Sequence, residues 1–150
     1  MNIKPSLIPN LQSISRMIIA LVFIITGFDK LMNLNVLYTI LAHKEFIASK
    51  HMVIIFYSSF ELILGLFLLV GYKIRYVAYL LAFQIFLLTF SMHDFWSMLA
   101  HEKIINLQFF MKNIIVIFAL IYIGSNKPDH LSLDNAYLQL KEQNKQRKPK

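Results

Sequence analysis

Glu61 is the residue of this chain that most requires a chemical explanation. It lies near the middle of Met52 to Gly71, a stretch of twenty residues with no other charged side chain. A carboxylate in such surroundings costs roughly 2.5–3.5 kcal/mol or more unless it is protonated, paired or turned toward a wet cavity. Three other titratable residues sit close to the ends of apolar runs: Lys30, His93 and Lys112. Ammonium and imidazole groups donate hydrogen bonds, and a carboxylate takes up and releases protons. Together they point to a polar pocket for a ligand or to a protonatable path. The competing reading is structural: Glu61 with Lys30 or Lys112 forms an internal ion pair that fixes helix register.

Spacing ties these residues to helix faces. Arg16, Ala20, Phe23, Gly27 and Lys30 are separated by steps of four and three, as are Tyr57, Glu61, Gly65 and Leu68. The same rhythm joins Arg75, Tyr79, Ala82, Phe86, Thr89 and His93, and again Lys112, Val116, Ala119 and Ile123. Each series makes one stripe along a helix, and the small residues in it mark close helix contact within a membrane. The charges are therefore expected to face inward. Asp29, Asp94 and Asn113 then point elsewhere, at about 100° per residue, and Gln84 lies off the inner face. In spans of alternating direction, Lys30, Glu61, His93 and Lys112 converge in the outer half of a bundle. Arg16 and Arg75 meet at the opposite end, where their repulsion requires an anion or a lipid headgroup.

The elements that must position these groups are apolar helices. Spans are expected over about 13–32, 52–71, 74–92 and 105–123, the last being the weakest because Asn106, Gln108, Lys112 and Asn113 fall in its first half. In the first, the uninterrupted apolar run from Met17 to Phe28 covers only about 18 Å as a helix, against a hydrocarbon core of about 30 Å. Its flanking charges must therefore snorkel or face protein. Leu37, Ile40, Leu41 and Lys44 have the spacing of a short interfacial helix. The fold class is thus all-α: an integral membrane antiparallel four-helix bundle over residues 1–124, with a short interfacial helix between spans 1 and 2. A basic polar tail, 125–150, follows. In it Leu133, Tyr137 and Leu140 can share one face of a short amphipathic helix, and disorder is expected from Lys145 onward.

Composition agrees. The chain of 150 residues is 57% hydrophobic with a mean hydropathy of +0.58, above the roughly 45–50% apolar share of soluble domains. It has no cysteine, which excludes disulfides, thiolate metal sites and iron–sulfur ligation within it. No histidine falls at mid-membrane, so a haem with axial ligands from two spans is disfavoured, and no metal site is expected. The net charge of +7 comes without a recognition fold for nucleic acid; the basic tail suits anionic headgroups instead. Four spans place Lys4, Arg16, Lys73, Arg75 and six basic tail residues on one side, against Lys30, Lys44, Lys50, Lys103 and Lys112 on the other. The positive-inside rule then puts both termini in the cytoplasm.

Several pieces in order resemble the DoxX family of small four-helix membrane proteins. They are Arg16 with Gly27-Phe28-Asp29-Lys30, then Glu61-Leu62-Ile63-Leu64-Gly65, then Gly71 and Arg75. His93-Asp94-Phe95-Trp96 and Phe110-Met111-Lys112-Asn113 complete the set, and the resemblance runs from about Ser13 to Gly124. It implies a protein of the bacterial cytoplasmic (inner) membrane. Some relatives are linked to quinone-dependent oxidation of sulfur compounds as a subunit of thiosulfate:quinone oxidoreductase, others to oxidative-stress assemblies. A quinone is the ligand this suggests; the chain has no cofactor motif of its own and would take electrons from a soluble or membrane redox partner. The expectation is a membrane component of a quinone-linked oxidoreductase or redox-stress assembly. Two rivals stand beside it: a non-catalytic scaffold or assembly factor, and a small proton-coupled transporter. A homo-oligomer is compatible with each.

Overall fold

The structure, a computed structural model, describes residues 7–35, 38, 50–92 and 100–147. Among them are five helices and no strand: α1 (Leu7–Met32), α2 (Lys50–Val70), α3 (Ile74–Met92), α4 (Ala100–Ser125) and α5 (Leu133–Arg147). The expected interfacial helix around Leu37 to Lys44 lies outside the described residues, as do His93 and Trp96. Leu11–Met32, His51–Val70 and Lys103–Ser125 are long and apolar enough to cross a membrane; Ile74–Phe90 is a shorter apolar helix. α4 is long and apolar enough to cross despite the polar residues early in it, because the apolar stretch that follows outweighs them.

The described residues form two compact units, one built from α1, α2 and α5 and the other from α3 and α4. Within the first, α1 and α2 run in opposite directions: Arg16 meets the end of α2 at Leu68, and Lys30 meets Glu61. Glycines let the two backbones come together. A Cβ on Gly27 would lie 3.0 Å from the Leu62 nitrogen, and one on Gly65 would lie 3.1 Å from side-chain atoms of Phe23 and Ile24. Arg16, Ala20, Phe23 and Gly27 are all buried, as are Glu61, Gly65 and Leu68, so the inward stripes of these two helices are as their spacing predicts.

α2 ends in a Schellman motif. Gly71 takes a left-handed φ of 73°, its N–H donates to Leu68 O at 3.2 Å, and the Tyr72 N–H donates to Phe67 O at 3.0 Å. The Phe67 and Tyr72 rings meet edge-on, the apolar contact that accompanies this motif. Beyond Asn126 the chain rejoins this helix end. Ser132 caps α5, accepting the Asn135 N–H on Oγ at 3.2 Å, and the Asp134 N–H donates to Gly71 O at 3.1 Å. A Cβ on Gly71 would approach Ser132 Cβ to 2.5 Å, so the glycine serves both the turn and the contact. The division at Gly124 does not anticipate this attachment. The helix of the tail also continues to Arg147, past the point where its charge suggests disorder.

In the second unit α3 and α4 are likewise opposed. Asn113 Nδ2 donates to Thr89 Oγ1 at 2.9 Å, Phe90 meets Phe110 edge-on, and Arg75 Nε donates to Gly124 O at 3.3 Å. The buried lines here differ from those expected. On α3 they follow Ile74, Val77, Ala78, Leu81, Ala82, Gln84, Ile85 and Thr89, so Ala82 and Thr89 of the expected stripe are buried while Arg75, Tyr79 and Phe86 are exposed; on α4 they follow Ile117, Leu120 and Gly124. Both faces of these helices are apolar, so small residues alone do not fix the rotational phase; Gln84 and Asn113 do, because a polar amide is costly against lipid.

The surface is apolar and much of the interior polar. Ile18, Ile25, Phe28, Met52, Phe56, Ile115, Phe118 and Tyr122 are all exposed, whereas Ser13, Arg16, Ser58, Glu61, Gln84, Thr89 and Asp129 are buried. Large apolar side chains face outward at no cost where the solvent is lipid.

Candidate functional site: two buried ion pairs on one helix pair

Glu61 is held by α1. Its Oε2 receives Lys30 Nζ at 2.5 Å, and its Oε1 receives the Thr26 hydroxyl at 2.6 Å. Thr26 and Lys30 are one helical turn apart and so share the face that meets α2. The Lys30 ammonium also lies over the Tyr57 ring, 5.1 Å from its centroid, a cation–π contact that adds to the pair. The carboxylate side chain is 5% exposed and the lysine 22%. The pair is therefore asymmetric: the acid is enclosed, while the ammonium remains within reach of a small ligand. Ser58, one turn before Glu61 on α2, is fully buried, and its hydroxyl has no hydrogen-bond partner among the described residues.

Toward the other end of the helix pair, Arg16 and Asp129 form a second, more enclosed pair. Arg16 Nε donates to Asp129 Oδ2 at 2.7 Å, and Nη2 donates to Oδ1 at 3.3 Å. Nη1 donates to the carbonyls of Leu68 and, at 2.6 Å, Leu69. These carbonyls end α2 and carry the negative pole of its dipole. Ser13 donates to Asp129 Oδ1 at 2.6 Å, and the Leu131 N–H donates there at 3.2 Å. Burial by itself raises the Asp129 carboxyl. The hydrogen bonds from Arg16 and Ser13, the charge of Arg16 and the Leu131 N–H outweigh it and hold the group below the usual carboxylate range.

Of the two lysines expected near Glu61, the structure brings Lys30 to it, and it gives Arg16 a carboxylate from the tail as its anion. Arg75 is exposed and caps the end of α4. Lys112 is exposed, with its ammonium 5.3 Å from the Phe109 ring centroid. The buried line on α4 runs one position away, along the face of Ile117, Leu120 and Gly124. His93 lies outside the described residues. Among the described residues no group of three His, Asp or Glu is placed to hold a metal ion.

Asp129, Ser13 and Thr26 were not singled out by the sequence. The signal for Asp129 is Arg16 itself: a guanidinium inside an apolar helix must find an acceptor, and Asp129 is the first acid after the last span. Thr26 carries no such signal, since a threonine in an apolar helix commonly bonds its own backbone.

A family model described as DoxX matches residues 11–94, more than half of the chain. The chain belongs to the DoxX family. The matched segment of this DoxX-family protein includes Arg16, Thr26, Lys30 and Glu61; Asp129 lies beyond it. No curated protein and no solved structure matches the chain. Family and apolar helices together make it a multi-pass membrane protein.

Proposed function

We propose that this DoxX-family protein is a membrane component of a quinone-linked oxidoreductase or redox-stress assembly of the bacterial cytoplasmic membrane. In this reading it forms a four-helix bundle with both termini in the cytoplasm. The observation that carries the reading is the Lys30–Glu61 pair, an enclosed acid bonded to a partly open ammonium inside two apolar helices. Lys30 donates a hydrogen bond to a quinone-like carbonyl, and Glu61 exchanges the proton that the carbonyl oxygen gains or loses. Electrons come from a redox partner, since the chain carries no cofactor motif. Arg16 and Asp129 satisfy each other, so they support the helix pair rather than the ligand.

The scaffold reading has one observation in its favour: Thr26 and Lys30 between them occupy both oxygens of Glu61. Glu61→Gln separates the two. In a quinone-linked component it abolishes quinone-dependent turnover of the reconstituted assembly while membrane abundance stays normal. In a scaffold, turnover and partner recovery survive. Mass spectrometry of lipid-soluble molecules co-purified in mild detergent supplies the direct test. A bound quinone lost in Lys30→Met supports the proposal, and phospholipid alone counts against it.

A further inference from the structure

We propose that α5 is an interfacial helix that lies on the anionic headgroup layer of the bilayer, at the membrane face where α2 ends. Its height is set by the contacts at its start. Asp134 N–H bonds Gly71 O, Ser132 sits against Gly71, and Asp129 is locked to Arg16 and thereby to the last turn of α2. His51–Val70 is long and apolar enough to cross a membrane; with it as a span, Gly71 falls at the water boundary and α5 begins there.

Its faces suit such a place. Leu133, Tyr137 and Leu140 follow helical spacing on one side and are 53%, 67% and 60% exposed, so no part of the described chain covers them. On a helical wheel at about 100° per residue, Lys141 falls on one flank of this stripe and Arg147 on the other. Asn135, Gln139, Glu142 and Gln146 occupy the far side together with the exposed Leu138, and Asn144 interrupts the stripe in the second half of the helix. The apolar stripe is thus confined to Leu133–Leu140, flanked by cations, and it is this first half that suits the headgroup region. Residues 133–150 hold five Lys/Arg (Lys141, Lys145, Arg147, Lys148, Lys150) against Asp134 and Glu142, so the segment is net basic and complements anionic lipid. Its occupant is the phosphate layer of the bilayer rather than a soluble protein, because its attachment holds it at that level.

The experiment uses the full chain, reconstituted in vesicles of phosphatidylcholine with or without phosphatidylglycerol, some lipids being brominated close to the headgroup. The one native tryptophan, Trp96, is replaced by phenylalanine, and a reporter indole is introduced by Tyr137→Trp or, as control, Gln139→Trp. The expected result is a blue-shifted, strongly quenched reporter at position 137, quenched more with phosphatidylglycerol than without, and a weakly quenched one at 139. Combined Lys141→Gln, Lys145→Gln and Arg147→Gln remove the gain due to phosphatidylglycerol. Red-shifted, unquenched emission at 137 in both bilayers overturns the proposal. So does a blue shift without quenching that grows with the protein-to-lipid ratio, which would mean that a second copy covers the face. Equal quenching at 137 and 139 also overturns it, since the helix would then have no preferred side.

Discussion

Arg16 is 1% exposed within an apolar helix, and four of its neighbours' oxygens receive its N–H groups. Such a cation is tolerable only while every donor is answered, which is why removing one partner of a buried pair costs about 3–5 kcal/mol. Asp129→Ala is expected to destabilise the folded protein by about that amount, measured by thermal unfolding in detergent. Arg16→Met with Asp129→Leu should recover most of it, because a matched apolar pair leaves no charge stranded. The acid dependence follows from the lowered Asp129 carboxyl. Its stabilisation is complete above the ordinary value of about 3.9 and is lost as the pH falls through the lower value of the folded protein. Asp129→Asn should flatten that acid limb of an unfolding-versus-pH series. For the other pair, Lys30→Met leaves Glu61 with the Thr26 hydroxyl alone. A loss of about 1.5–3 kcal/mol is expected, the worth of a hydrogen bond to a charged group, and restoring the cation as Lys30→Arg should regain part of it.

At the level of elements, glycines decide how helices meet and end. Gly71 is needed twice, for its left-handed φ and because Ser132 leaves no room for a Cβ. Gly71→Ala should cost at least about 1–2 kcal/mol from the backbone alone and loosen α5, seen as faster proteolysis between Pro128 and Arg147 with the spans intact. The spacing of α1 and α2 reveals their inner faces correctly because Gly27, Gly65 and the charges coincide on one stripe. α3 and α4 carry apolar residues all round, so although Ala82 is buried as expected, the Ala119 stripe of α4 is off by one residue, and the buried amide of Gln84 and the Thr89–Asn113 bond are the better guides.

For the molecule as a whole, side and span number are open to a clean test. The chain has no cysteine, so a single introduced thiol reports its own side. Four spans with cytoplasmic termini require Lys73→Cys and Glu142→Cys to react from the cytoplasmic face and Lys103→Cys from the opposite face, read with a membrane-impermeant maleimide in intact cells and in inverted vesicles. An interfacial α5 and the Arg16–Asp129 pair both depend on the tail sharing the side of the α2 end.

The sequence by itself determined that this is an all-helical membrane chain of the DoxX family, and that Glu61 needs a cation, with Lys30 and Lys112 both open to it; the fold chose Lys30. Apolar run length, helical period and the cost of an unpaired charge in lipid are local properties, readable one segment at a time. Tertiary structure alone decided that Asp129, more than a hundred residues distant in the chain, answers Arg16. It also decided the rotation of α3 and α4. A partner's identity depends on which oxygen the folded backbone delivers within hydrogen-bond reach, and a helix apolar on every side has no face until a neighbour gives it one.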